Sequence, residues 1–286
     1  MRCKKCANKA VVSLRAYKIA LCADCYLEFY KRMVQRSIKK HRIFIENDKI
    51  LLAVSGGKDS SAMASVLSDI GYSFEMLYID LGIGNYSEES RRKVEELADI
   101  VEKNLHVIAL RDYGFTIPEV KGRICSACGT VKRYIMNKFA RENGFTVVAT
   151  GHTAEDLVSF YLKNVAGGQK EYAEKLLPRI EPFDENVVAR AKPLFEMSEK
   201  ENMLFAIIKK LPFKSDECPF APQPEWKEIV YGIEHKKPGF VKNFLRGLVV
   251  ETKKPLETKH CSICGEVSIG EICSFCKIRK KFSKSL

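Results

Sequence analysis

Ile50-Leu-Leu-Ala-Val54 leads straight into Ser55-Gly56-Gly57-Lys58-Asp59-Ser60, and a helical pattern over Asp59–Ile70 follows. A short apolar run bounded by a glycine turn reads as a buried strand. The two glycines let the backbone turn tightly and approach an anion. A helix N-terminus behind them supplies free N–H groups and the positive end of a dipole, to which Ser55, Lys58 and Ser60 add side-chain donors. Strand, anion-binding loop and helix in this order predict a nucleotide-phosphate site. The loop is not a Walker A sequence, because the G-x-x-x-x-G-K-S/T spacing is absent.

Outward from this loop the same alternation repeats. Predicted strands cover Lys49–Val54, Phe74–Ile79, Leu105–Leu110, Thr146–Thr150 and Ala189–Leu194; predicted helices cover Asp59–Ile70, Ser87–Lys103, Ala127–Asn143, Thr153–Val165 and Ser198–Lys210. Buried strands alternating with helices imply an α/β fold built on a parallel sheet. Glu88 and Glu89 are expected in the first turn of one helix, and Ser198 with Glu201 forms a capping box. Residues 219–260, broken by Pro219, Pro222, Pro224, Pro238 and Pro255, read as short helices. Ligands of such sheets lie at the carboxyl ends of strands, here Ala53–Ser55, Ile79–Asp80 and Thr150–Gly151. Gly151-His152-Thr153-Ala154-Glu155-Asp156 follows the last of these directly, and its Thr153 and Asp156 are also spaced to cap a helix.

The 11 cysteines fall into three groups. Cys3-x-x-Cys6 and Cys22-x-x-Cys25 are fifteen residues apart, and Cys261-x-x-Cys264 and Cys273-x-x-Cys276 are eight apart. Each pair is a two-thiolate knuckle, and four thiolates make a closed, structural zinc site, so two structural Zn²⁺ ions are expected. Cys125-x-x-Cys128 and Cys218 leave an odd set inside the main domain. Three thiolates suit an iron–sulfur cluster with one open iron, a catalytic zinc, or a disulfide formed in turnover.

The net charge of +12 is concentrated at Lys31–Arg42, Lys236–Arg246 and Lys277–Lys284, a distribution that favours a polyanion such as nucleic acid. No apolar run approaches the roughly 18 residues of a membrane span, and no apolar stretch follows the first residues, so a cytoplasmic protein without membrane contact is expected. A reducing compartment points the cysteines to metal or redox chemistry.

The loop resembles the SGGxDS loop of the PP-loop ATP pyrophosphatases, and Gly151–Asp156 resembles their GHNxxD element, with Thr153 in place of the usual Asn. Over Met1 to about Lys280 the chain resembles the TtuA-type tRNA 2-sulfurtransferases of the TtcA/TtuA superfamily. The resemblance rests on the N-terminal finger, Ser55–Ser60, Ile79-Asp-Leu-Gly-Ile-Gly84, Cys125-Ser-Ala-Cys128-Gly-Thr-Val-Lys132-Arg-Tyr134, Gly151–Asp156, Glu217-Cys218-Pro219 and the C-terminal finger. It implies an adenine nucleotide alpha hydrolase-like PP-loop domain (31–255) between zinc fingers (1–30 and 256–286). It implies ATP held by Ala53, Ser55, Gly56, Gly57, Lys58, Asp59, Ser60, Ile79 and Gly151, with Mg²⁺. It implies a 4Fe–4S cluster on Cys125, Cys128 and Cys218, and catalytic roles for Lys132 and Asp156. The implied reaction adenylates the C2 oxygen of a tRNA uridine and replaces it with sulfur, taken from a ubiquitin-like protein thiocarboxylate or from free sulfide; a homodimer is one assembly the sequence allows. Cys128–Lys138, Ala166-Gly-Gly-Gln169 and Trp226–Leu248 look like the branch acting on the T-loop uridine at position 54, with the anticodon wobble uridine as the alternative. Two other classes remain open: a zinc-finger RNA-binding protein without catalysis, against which the intact loop argues, and an ammonia-using PP-loop amidotransferase, which leaves the cysteines unexplained.

Overall fold

The computed structural model describes residues 1–169, 176–221, 223–249, 259–265, 267–268 and 270–272. Two units separate by contact, Met1–Leu245 and Arg246–Leu286.

The first unit opens with a hairpin, β1 (Val12–Leu14) and β2 (Ile19–Leu21), followed by α1 (Ala23–Lys40). Then come β3 (Ile50–Val54), α2 (Lys58–Asp69), β4 (Phe74–Asp80), α3 (Gly84–Val101), β5 (Leu105–Ala109), α4 (Ile124–Glu142), β6 (Val147–Thr150) and α5 (Ala154–Ala166). A short β7 (Arg179–Ile180), β8 (Ala189–Ala191), α6 (Glu199–Ile208), α7 (Glu225–Lys236) and α8 (Phe240–Val249) complete it, α8 running past the unit boundary. The C-terminal unit contains a small antiparallel pair, β9 (Lys259–His260) and β10 (Val267–Ser268).

The six-stranded sheet has the order β5-β4-β3-β6-β8-β7, parallel except for the edge strand β7. The chain moves outward from β3 to β4 and β5, then returns to place β6 on the other side of β3. This reversal opens a crevice above the carboxyl ends of β3 and β6, where ligands of open sheets bind. Met136, Phe139 and Ala140 of α4 pack over Leu51, Leu77 and Val148. Strands covered on both faces need apolar residues on both, which is why β3 reads as an unbroken apolar run.

The predicted strands and helices of the α/β core appear where expected, with ends shifted by a few residues. Helix α3 starts at Gly84 (φ 44°), so Glu88 and Glu89 lie beyond its first turn. The proline-broken segment does hold short helices, α7 and α8. Helix α1 was not visible as an element, yet it joins the finger to the core and crosses residue 30. Its Tyr26 donates to the Glu201 carbonyl at 2.6 Å, Tyr30 donates to Asn202 Oδ1 at 2.6 Å, and the Tyr30 ring stacks on Phe205. Residues 250–258, around the boundary expected at 255, lie outside the described residues. Among the described residues no helix is long and apolar enough to cross a membrane.

Candidate active site

Gly56 has φ 78°, and a side chain there would come within 2.7 Å of the Ser90 carbonyl oxygen, so only glycine fits on both counts. Ser60 Oγ donates to the Gly57 carbonyl at 2.9 Å and accepts from the Ser55 amide at 3.2 Å, closing the loop onto the first turn of α2. A Cβ on Gly151 would stand 3.2 Å from the Ser60 amide, so the end of β6 meets the start of α2 backbone to backbone.

A cavity of about 360 Å³ opens at this junction. Ala53, Ser55, Gly57, Asp59 and Ser60 line it, with Ile79 from β4, Gly151 and Asp156 from the β6–α5 turn, and Lys132 from α4. The volume is in the range of small-molecule sites. Gly56 and Lys58, also expected to touch nucleotide, are set back from its lining. Lys58 Nζ instead lies 2.9 Å from Asp59 Oδ2 and 3.4 Å from Glu199 Oε2.

Asp156 holds two posts at once. Its Oδ2 accepts from the Thr153 amide and hydroxyl, both at 2.9 Å, in a capping box. Its Oδ1 faces Lys227 Nζ at 2.6 Å. Lys227 also pairs with Glu199, whose other oxygen takes Lys58 and the Tyr231 hydroxyl at 2.7 Å. Burial pushes the Asp156 carboxyl up, but the Lys227 charge and the Thr153 amide outweigh it and hold the carboxyl below its usual range. On the preceding residue burial wins: Glu155 is pushed up to about 8 despite the Glu199 amide donating to it at 3.0 Å. A second chain runs from α1: Tyr30 to Asn202, then Asn202 Nδ2 to Asp59 Oδ1 at 2.9 Å. The N-terminal finger's helix is thus connected to the phosphate loop by two hydrogen bonds, the first of them buried.

The internal cysteines meet at the start of α4. Cys128, Cys218 and Phe220 pack against the cluster Leu81, Ile83, Leu110, Ile117 and Ile135, and Cys125 Sγ donates to the Phe220 carbonyl at 2.6 Å. Burial, then the neighbouring Cys218, pushes the Tyr86 phenol up. Among the described residues only Cys3, Cys6, Cys22 and Cys25 bring all their ligand atoms within 4.8 Å of one another. Cys6 and Cys22 sulfurs are 3.5 Å apart and Cys6 and Cys25 sulfurs 3.6 Å, close to the ~3.8 Å edge of a tetrahedron with Zn–S bonds of about 2.3 Å. That set fits one zinc ion. Cys125, Cys128 and Cys218 are not within 4.8 Å of one another as a set, and three cysteines are the ligand number of an iron–sulfur cluster with one open iron. Cys261 and Cys264 form a knuckle closed by the Gly265 amide donating to the Cys261 carbonyl at 2.9 Å. Cys273 and Cys276 lie outside the described residues.

The PP-loop domain family matches residues 29–221. The chain is 39% identical to the tRNA-5-methyluridine(54) 2-sulfurtransferase of Pyrococcus horikoshii, over 97% of this chain and 93% of that one. It is 36% identical to the protein of the same name from Thermotoga maritima, over 99% and 98%. The chain belongs to this family of tRNA sulfurtransferases. A solved structure, the U34-tRNA thiolase NcsA from Methanococcus maripaludis with its 4Fe–4S cluster, aligns with a TM-score of 0.75 at 25% identity, over 98% of this chain and 96% of that one.

For a sulfurtransferase of this family, Glu199, Lys227 and Tyr231 are the residues the sequence did not offer. Each sits at least 43 residues beyond Asp156, Glu199 on α6 and Lys227 and Tyr231 on α7 in the proline-broken segment, and no local pattern ties them to it. For Glu199 the local signal is the capping box at Ser198 and Glu201, which fixes where α6 begins.

Proposed function

We propose that this sulfurtransferase uses ATP to replace the C2 oxygen of a tRNA uridine with sulfur, and that the uridine is the one at position 54. One observation carries the reading. Helix α4 bears Cys128 and, four residues on, Lys132, positions that share a helix face; Lys132 lines the nucleotide cavity and Cys128 belongs to the thiolate triad. A nucleotide site and a sulfur-handling site therefore adjoin along one helix.

The C2 oxygen attacks the α-phosphorus of ATP and pyrophosphate leaves, converting a poor leaving group into AMP. Sulfide then adds at C2 and AMP departs. Lys58, released from Glu199 by incoming phosphate, stabilises the pyrophosphate as its charge develops. Asp59 and Asp156 are the wall carboxylates suited to Mg²⁺, and Asp156 with Lys132 orients the base and manages the proton the ring gives up as its oxygen attacks. Cys125, Cys128 and Cys218 would hold a 4Fe–4S cluster, which supplies an iron able to bind sulfur. The finger at Cys3, Cys6, Cys22 and Cys25 carries structural zinc, as does the one begun by Cys261 and Cys264. Sulfur comes from a ubiquitin-like protein thiocarboxylate or free sulfide, and the soluble chain works in the cytoplasm.

Position 54 is favoured because the named relatives at 36–39% identity span nearly the whole chain. The wobble uridine is the second reading, supported by the U34-tRNA thiolase at 25%. Anaerobically reconstituted protein with ATP, sulfide and unmodified tRNA should produce 2-thiouridine and AMP in equal amounts, and Lys58→Ala should abolish both. AMP release without thiolation, or thiolation that survives Lys58→Ala, would refute the scheme.

A further inference from the structure

The strongest unassigned feature is a pair of arginines, Arg133 on α4 directly after the cavity-lining Lys132 and Arg190 on β8. Arg133 is exposed on α4, and Nη1 of its guanidinium lies 3.2 Å from where a Cβ on Gly129 would stand, while Nη2 is 3.3 Å from Thr130 Oγ1. It therefore folds back along α4 to the turn that holds Cys128. Arg190 stands exposed on β8. The two elements are tied together: Asn137 accepts from the Val188 amide at 3.1 Å and donates to the Asn186 carbonyl at 2.7 Å, and Arg141 donates to Asn186 Oδ1 at 2.9 Å. Because α4 runs opposite to the strand, Arg133 one turn before Asn137 and Arg190 two residues after Val188 both advance to the same edge of the sheet.

At that edge positive charge meets positive charge. Partial burial and then the Arg133 charge press the Arg190 guanidinium down. Burial and then Arg190 push Lys192, whose Nζ donates to the Leu177 carbonyl at 2.6 Å, down to about 8. Nearby acids are engaged elsewhere: Glu142 with Lys138, Glu181 with Arg179, and Asp184 with the Asn186 amide. Among the described residues neither Arg133 nor Arg190 pairs with a carboxylate. Two like charges held together without a counter-ion are costly until an anion joins them, and guanidinium forks match phosphate oxygens.

We propose that Arg133 and Arg190 form a seat for a tRNA phosphodiester beside the nucleotide to be thiolated. The position explains the choice of anion. Arg133 follows Lys132, which lines the cavity, and lies against the turn of Cys128, so a phosphate gripped here belongs to the stretch of chain whose base reaches both sites. Reaching a stacked base requires turning it out of its loop, and a fixed backbone on either side makes that displacement productive. The seat rests on the tRNA reading above.

The test measures dissociation constants of the full-length, metal-loaded protein for unmodified tRNA between 50 and 200 mM KCl. Arg133→Ala and Arg190→Ala are compared with wild type, the double variant and the two lysine replacements. Both positions are exposed, so melting temperature and ATP affinity should be retained. Each alanine should weaken tRNA binding about tenfold and lower the slope of log affinity against log salt by about 1. Lysine should restore the slope and only part of the affinity. A double variant with wild-type affinity and slope, while wild type binds and thiolates tRNA, overturns the seat and leaves thiolation standing. Wild-type protein that neither binds nor thiolates tRNA overturns both.

Discussion

Lys227→Met removes the one ammonium shared by Asp156 and Glu199 and keeps most of the side-chain volume. The lost contacts are the 2.6 Å pair to Asp156 and the still shorter pair to Glu199, whose side chains are 31% and 15% exposed. Breaking a fully buried pair costs about 3–5 kcal/mol, and an exposed pair about 0–1 kcal/mol. Intermediate exposure, with Asp156 keeping Thr153 and Glu199 keeping Tyr231, places the loss near 2 kcal/mol, or roughly 4–8 °C in melting temperature for a chain of this size. The sign with pH follows from both partners. Asp156 has a depressed folded pKa, so its contribution is present above the unfolded value of about 3.9 and is lost as pH falls below it. Lys227 has a raised folded pKa, so its contribution is present below the unfolded value of about 10.4 and is lost as pH climbs above that. The gap between wild type and variant should therefore be constant from about pH 5 to 9 and close in acid. Catalysis adds a second readout: without Lys227 the Asp156 carboxyl rises, so the acid limb of the ATP–pyrophosphate exchange profile moves to higher pH. Scanning fluorimetry and exchange rates from about pH 3 to 9 measure both, with Lys227→Arg as the rescue. An unchanged melting temperature and an unmoved acid limb would refute the network.

Glu155→Gln should flatten the stability profile: wild-type stability falls as pH rises from the ordinary glutamate value towards about 8, by up to about 4 kcal/mol, and the glutamine variant should lack that decline in denaturant titrations. Asn202→Ala should cost roughly 1–3 kcal/mol, since it leaves Tyr30 and Asp59 each short of a partner, and should raise the KM for ATP; an unaltered KM would separate α1 from the loop. Cys6→Ser should release one zinc per chain and lower the melting temperature, whereas retained zinc by elemental analysis would count against a four-thiolate finger.

The phosphate loop and its sheet were legible because each depends on short-range patterns. Ile50–Val54 alternates with nothing polar, and Gly56 is the residue a φ of 78° against the Ser90 carbonyl demands. Cys3, Cys6, Cys22 and Cys25 announced their site by spacing alone. The contacts that join these parts were not legible, because they are long-range. Nothing in Tyr30 signals Asn202, and nothing in Asp156 signals Lys227, 71 positions away. Helix α1 is hidden in the sequence because its basic surface dominates its composition, while its buried face is Tyr26, Tyr30, Val34, Ser37 and Ile38. The Thr153–Asp156 spacing predicts a cap, and the family resemblance implies a catalytic Asp156. The geometry accommodates the two together, one carboxylate oxygen for the cap and the other facing Lys227.

The central claim is tested most directly by locating the sulfur. Reconstituted enzyme, ATP, a sulfur source and unmodified tRNA are incubated, the tRNA is cut by a base-specific nuclease, and the fragments are weighed by mass spectrometry. A gain of about 16 Da, oxygen exchanged for sulfur, is expected in the T-loop fragment containing position 54 and in no other. The same gain confined to the anticodon fragment would contradict the assignment of the uridine, and no gain in any fragment would contradict thiolation itself.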